Sequence, residues 1–143
     1  MIKYIAATDT LPLRSKVLRK DAPLEQCVFP ADEVEGGFHL GYFAGTSLVC
    51  IATFYPEDCA EQGVGGFRLR GMATDPAFMG KGYGAELIKF AINKLRSVNA
   101  SYIWCDARSL AVGFYKKLGF EFISEEFEVT GIGPHFKMIK IIQ

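Results

Sequence analysis

Apolar positions recur along the chain with two different periods, and the switches between them mark out strands and helices. Ile2–Ala6 opens as a short strand-like run. Asp9 or Thr10 is suited to cap a helix reaching about Arg19, with Pro12 tolerated in its first turn. Asp21–Gly37, crowded with Pro, Asp, Glu and Gly, reads as a long loop with room for one helical turn. Phe38–Ala44 and Leu48–Phe54 are β-rich runs around Gly45-Thr46, the pattern of a hairpin. After the loop Tyr55–Gly66, Phe67–Ala73 is a third strand candidate.

Between Gly84 and Ser97 the period lengthens. Leu87, Ile88, Ala91, Ile92 and Leu95 fall at helical spacing and form one apolar face. Tyr102–Cys105 returns to a short buried strand, and Ser109–Leu118 reads as a helix ended by Gly119 as its C-cap. Phe120–Val129 and His135–Ile142 are two further strands, joined by Thr130-Gly131-Ile132-Gly133-Pro134. The middle is therefore strand–helix–strand, which favours a right-handed parallel crossover, with hairpins on either side. The expected fold class is α/β, a mixed central sheet of six to seven strands with helices on both faces. No repeat, low-complexity tract or linker interrupts residues 1–143, so one domain is expected.

Composition narrows the classes of function. Half of the residues are apolar and 13% aromatic, which excludes disorder. Sixteen basic residues balance sixteen acidic ones, so a general nucleic-acid binder is not expected, although a local anion site is compatible. No segment has the roughly 20 apolar residues that span a bilayer, and the N-terminus lacks the apolar core of a signal peptide. Cys27, Cys50, Cys59 and Cys105 are widely spaced with no CxxC pair, and Cys50 and Cys105 fall within apolar runs. Buried reduced thiols fit that pattern, with no metal site, and a soluble cytoplasmic protein is expected.

The stretch with chemical content is MATDPAFMGKGYGAELIKFAINKL, from Met72 to Leu95. A strand end, a loop with Pro76, three alternating glycines (Gly80, Gly82, Gly84) and an amphipathic helix follow one another directly. Free N–H groups and the dipole at a helix N-terminus make an anion site, and glycines let a phosphate approach the backbone. A tight turn needing positive φ, with no ligand, would use the same residues. The P-loop pattern GxxxxGK[ST] fails because Lys81 is followed by Gly82, with no hydroxyl residue to hold magnesium. The dinucleotide fingerprint fails at Ala85, or at Leu87 in the alternative register.

MGKGYG resembles the acyl-CoA-binding motif [RQ]xxGx[GA] of the GNAT superfamily of N-acetyltransferases, with Gly82 and Gly84 in its two small positions. Downstream, AVGFYKKLGFEF (Ala111–Phe122) is similar to the superfamily's second hallmark, A-x-x-x-Y-x-x-x-G-F. HLGYFAGTSLVCIATFYPE and GIGPHFKM also resemble a subgroup of small acetyltransferases. There are two departures. Met79 stands where Arg or Gln is usual, which leaves the pyrophosphate to the backbone of residues 80–84, and Arg108 stands where many members have Asn.

This resemblance implies an acetyl-CoA-dependent N-acetyltransferase in which a primary amine, expected to belong to a small molecule, attacks the thioester directly. It implies a bulge in the strand ending Gly71-Met72-Ala73-Thr74, with backbone groups of Met72, Ala73 and Thr74 along the pantetheine arm. The cofactor site would continue through Met79, Gly80, Lys81, Gly82, Tyr83 and Gly84, with Phe114 and Lys117 across from them. Tyr115 matches the family's tyrosine, the general acid for the departing thiolate, although a core aromatic beside Phe114 would show the same periodicity. A phenol of pKa about 10 protonates a thiolate of about 8.5 only with help from the site. For the base, His135 is the residue singled out, with His39, Asp32, Glu33, Glu35, Asp106 and a water relay as alternatives. Lys116 and Lys117 are candidates for the CoA 3′-phosphate or ordinary solvated lysines. A homodimer is expected, since an exposed apolar strand edge is a liability. Three other readings stay open: a protein or peptide amine as acceptor, a non-catalytic acyl-CoA sensor on the same fold, and a nucleotide-phosphate-binding enzyme.

Overall fold

The computed structural model describes residues 1–142. Its sheet is built from β1 (Ile2–Ile5), β2 (Phe38–Ala44), β3 (Ser47–Pro56), β4 (Gly66–Thr74), β5 (Tyr102–Arg108), β6 (Glu121–Phe122), β7 (Phe127–Val129) and β8 (Gly133–Ile141). The helices are α1 (Ala7–Leu13), α2 (Tyr83–Ser97) and α3 (Val112–Lys117). Spatial order is β1-β2-β3-β4-β5-β8-β6, with β7 also paired to β8. Every pairing is antiparallel except β4 with β5, which α2 connects.

Alternation along the central strands sorts their side chains to two faces. Cys50, Ala52 and Phe54 of β3 join Leu40, Leu69 and Ile103 in the core beneath α2 and α3. Ile51 and Ala73 point the other way, onto Leu13 of α1 and onto Val17 and Leu18 beyond it. Helices thus cover both faces of the sheet. The anchor of the larger core is the stripe Leu87, Ile88, Ala91, Ile92 and Leu95, all buried. Leu87, Ile88 and Leu95 are wholly inaccessible, and each contributes roughly 1.5–3 kcal/mol of transfer free energy.

Several boundaries differ from the sequence reading. The first helix is capped at Ala6, and neither Asp9 nor Thr10 is the cap. Asp9 lies inside the first turn, where its carboxylate accepts the Ala6 N–H at 3.0 Å, and Thr10 Oγ1 donates to the Ala7 carbonyl at 2.6 Å. Pro12 consequently lies mid-helix, and after it Arg14–Leu18 widens into a π-turn. β5 runs on past Cys105 to Arg108 because β8 pairs with it along its whole length. The expected strand Phe120–Val129 is broken: between the pairs Phe122–Met138 and Phe127–His135, four residues (123–126) oppose two on β8, and the Ser124 hydroxyl accepts the Lys137 N–H at 2.9 Å. The helix expected from Ser109 begins as a 3-10 turn, Ser109–Ala111, ahead of α3.

Candidate active site

β4 and β5 pair only where Gly66–Arg68 meets Tyr102–Trp104. Beyond that point β5 follows β8 and β4 follows β3, so a wedge opens between the two parallel strands. A bulge in β4 turns it further. Ile51 faces Ala73 and Thr53 faces Arg70, so Gly71 and Met72 together oppose Ala52. Gly71 takes φ +69°, and a Cβ there would stand 2.9 Å from the Phe29 ring. Residues 69–74 have no partner strand on the β5 side, which leaves a strand edge for an extended ligand.

At the far end of β4 lies the glycine loop. Gly80 and Gly82 take φ +77° and +81°, and a Cβ at either would meet no atom within 4 Å. Gly82 is the N-cap of α2, and its carbonyl accepts the Glu86 N–H at 3.1 Å. The first N–H groups of this 15-residue helix have no helical partner and face the open loop. Gly84 is needed for closeness, since its Cβ would lie 3.1 Å from Phe114 and 3.2 Å from the methyl of Met72. A cavity of about 280 Å³ is bounded by Thr74, residues 78–85, Phe114, Lys117 and Leu118. An open, positively polarised loop of this kind fits a pyrophosphate. Lys117 borders it, whereas Lys116 lies over the Phe122 ring at 4.3 Å, outside it.

A second cavity, of about 210 Å³, fills the wedge and is bordered by Met72, Asp106, Tyr115 and His135. Tyr115 is buried and packed edge-on against Phe114 at 5.1 Å and Phe120 at 5.3 Å. Its hydroxyl bonds to no described residue. Burial, reinforced by the Cys105 and Cys50 thiols, pushes its pKa well above 10, so it keeps its proton. His135 Nδ1 lies 2.8 Å from the Gly133 carbonyl, which only accepts, so the proton of this tautomer sits on Nδ1. Nε2 is left with a lone pair and no hydrogen bond to a described residue.

Of the other proposed bases, Asp32, His39 and Asp106 are otherwise engaged. Asp32 is buried and takes both terminal nitrogens of Arg14, at 2.7 and 2.8 Å, and the Phe29 N–H at 2.9 Å. His39 Nε2 donates to the Asp32 carbonyl at 3.0 Å, and its Nδ1 accepts from Thr53 Oγ1 at 2.7 Å. Glu33 and Glu35 are exposed, and Glu33 borders a separate cleft beside β1 and β2. Asp106 lies within β5, not after it, and is ion-paired to Arg68 at 2.9 Å and Lys137 at 2.6 Å. Of the proposed cofactor residues, only Ala73 borders neither cavity, because its side chain packs on Leu13 and Ile51.

Sequence reasoning missed Phe29, Arg19 and Arg70, which also line the wedge cavity. The available signal was Arg68-Leu69-Arg70 within a strand: with Leu69 in the core, both arginines fall on the opposite face.

Residues 35–142 match the family described as an acetyltransferase (GNAT) domain. The uncharacterised N-acetyltransferase YitI of Bacillus subtilis (strain 168) is 38% identical over 145 residues, spanning 99% of this chain and 96% of its own. Among solved structures, an aminoglycoside 6'-N-acetyltransferase complexed with coenzyme A superposes with a TM-score of 0.80 at 14% identity, covering 100% of this chain and 97% of that one. A putative N-acetyltransferase from Lactobacillus plantarum gives 0.79 at 17% identity, with 99% of each chain covered.

Proposed function

This chain belongs to the GNAT family of acetyltransferases, which use acetyl-CoA, and from that premise we propose that residues 1–143 act as one domain acetylating the primary amine of a small molecule. The observation that carries the acceptor assignment is the cavity in the wedge, which Tyr115 and His135 both line, with Tyr115 next in the chain to Phe114 of the glycine-loop cavity.

When bound, acetyl-CoA supplies a thioester-activated acetyl group. The α2 N-terminus holds the pyrophosphate through main-chain N–H groups, and Met79, 67% exposed, adds nothing polar. The unpaired edge of β4, including Met72 and Thr74, orients the pantetheine arm. His135 Nε2 takes the proton of the attacking amine as the N–C bond forms. Tyr115 is the group that would give its proton to the sulfur as the C–S bond breaks. Burial keeps it protonated in the resting site but makes it a weaker acid, so the transfer runs uphill against a thiolate and has to be coupled to C–S cleavage itself. The wedge cavity, of about 210 Å³, suits a small acceptor better than a folded protein surface.

Acetyl-CoA and a panel of amines, polyamines, amino sugars and peptides, followed by free-thiol release, test the reading. Turnover on at least one small amine is expected, with His135→Ala lowering it about 10²-fold at unchanged CoA affinity. Turnover confined to protein substrates would sink the small-molecule assignment.

Gly82 tests the cradle separately. Gly82→Ala puts a methyl group into the space assigned to the pyrophosphate and should weaken CoA binding tenfold or more by calorimetry. The left-handed conformation itself costs about 1–2 kcal/mol. Gly45→Ala is the control, since Gly45 has φ +62° and equally open surroundings in the β2–β3 turn. Equal losses of CoA affinity in the two variants would remove the cradle from the site.

The reaction is assigned to the cytoplasm, where the four buried free cysteines stay reduced. No described helix is long and apolar enough to cross a membrane. The chain is assigned as a homodimer because β1 lies at an open sheet edge with Tyr4 54% exposed; a sedimentation mass of 15.8 kDa would refute this.

A further inference from the structure

The wedge cavity carries more positive charge than amine acetylation requires. Arg19, Arg68, Arg70 and Arg108 line it, against a single carboxylate, that of Asp106. Asp106 is already neutralised twice, by Arg68 and by Lys137, and Arg68 also reaches Glu57 at 3.2 Å. None of Arg19, Arg70 and Arg108 forms an ion pair with a described carboxylate. These three come from different elements, the end of the π-turn, β4 and the end of β5, and all are half-buried.

The fold holds the cations in place. Arg70 lies over the Phe29 ring at 4.3 Å and Arg19 at 5.9 Å, with the buried Arg14 at 3.7 Å. Arg108 Nη2 donates to the Leu18 carbonyl at 3.2 Å, which fixes its head beside Arg19. The cluster pays a visible penalty: burial first, then the fields of Arg70, Arg108 and Arg14, lower the Arg19 pKa. The guanidinium groups nonetheless remain charged at neutral pH. On a chain of zero net charge, three uncompensated arginines around one cavity are a local arrangement with no global cause.

A partly dehydrated cluster of like charges is stabilised by a bound anion, and the planar guanidinium fork matches a carboxylate in a bidentate fashion. We infer that the acceptor is a small amine bearing its own carboxylate, which Arg19, Arg70 and Arg108 bind while the amino group lies toward His135. This rests on the wedge cavity being the acceptor site. Polyamines, with added positive charge, are disfavoured by the same field, and amino sugars lack the carboxylate it would bind.

The test compares common L-amino acids with their carboxamides as acceptors, by thiol release. The acids should be preferred by about 10- to 100-fold in kcat/KM, the worth of a charged hydrogen-bonded contact. Arg70→Gln and Arg108→Gln should each collapse that preference toward unity through the acceptor KM, leaving the acetyl-CoA KM unchanged. Amides or polyamines used as well as the acids would overturn the inference while leaving N-acetyl transfer intact. Should no amine turn over although CoA binds, transfer to small amines fails as a function, and the anion site is decided by calorimetry of N-acetyl amino acids and their amides on the CoA complex. Salt-sensitive binding of the acids alone, lost in Arg70→Gln and Arg19→Gln, upholds it; equal binding, or none, overturns it.

Discussion

Tyr115→Phe is expected to lower turnover by about 10²- to 10⁴-fold while leaving CoA affinity within about twofold. The substitution removes one oxygen and nothing else. The ring is held between Phe114 and Phe120 by contacts that Phe keeps. Because the hydroxyl has no hydrogen-bond partner among the described residues, its loss orphans no other group, and stability should move by less than about 1 kcal/mol. A residue that served only the core would therefore give full activity as Phe. Steady-state thiol release and CoA calorimetry on one preparation separate the two outcomes, and unchanged turnover would return the proton to solvent.

Asp32→Ala should have the largest effect on stability. Arg14 is fully buried, and without Asp32 it keeps only the Cys27 carbonyl, at 3.1 Å, and Thr53 Oγ1, at 2.8 Å, for its terminal nitrogens. Its Nε is buried with no hydrogen-bond partner even in the intact protein. An uncompensated buried charge costs about 3–5 kcal/mol, equivalent to a fall of about 10–15 °C in Tm. A fall below about 3 °C would show that the pair is dispensable.

The same network gives a pH dependence. Burial alone would raise the Asp32 carboxyl, but the Arg14 and Phe29 hydrogen bonds outweigh it and hold its pKa below the usual carboxylate range. A depressed folded pKa means stability that is complete above the unfolded value of about 3.9 and lost as pH falls through the folded one. Acid denaturation should therefore begin below about pH 4, and Asp32→Ala should flatten that limb.

The parts of the site legible in the sequence are those whose role is local. Gly80, Gly82 and Gly84 sit at a strand-to-helix turn, and only backbone conformation and a helix N-terminus are needed to read them. Tyr115 and Gly119-Phe120 lie on one short helix and its cap, so their spacing carries their geometry. The proposed base was harder to single out, because whether a histidine is free depends on its partners. His39 is occupied by Thr53 and Asp32 across two other segments, whereas His135 is oriented by Gly133, two residues away. The arginine cluster was illegible for a related reason. Arg19, Arg70 and Arg108 converge only once the sheet order and the wedge exist. β6 and β7 read as one strand because the break between them is set by their pairing with β8, which is not part of the local pattern.

The short seam between β4 and β5 has a thermodynamic consequence. Three residue pairs, Gly66–Arg68 with Tyr102–Trp104, are the only ladder among the described residues that joins the β1–β4 strands to the β5–β8 unit. A ligand lying along β4 in the wedge makes part of the missing ladder, so it acts as a guest strand between two antiparallel sub-sheets. Binding only the folded chain, at a hundredfold excess over its Kd, contributes about 2.7 kcal/mol. An acetyl-CoA bound along β4 as proposed would thus complete the sheet as well as react, and thermal unfolding followed with and without CoA should show a higher Tm in its presence.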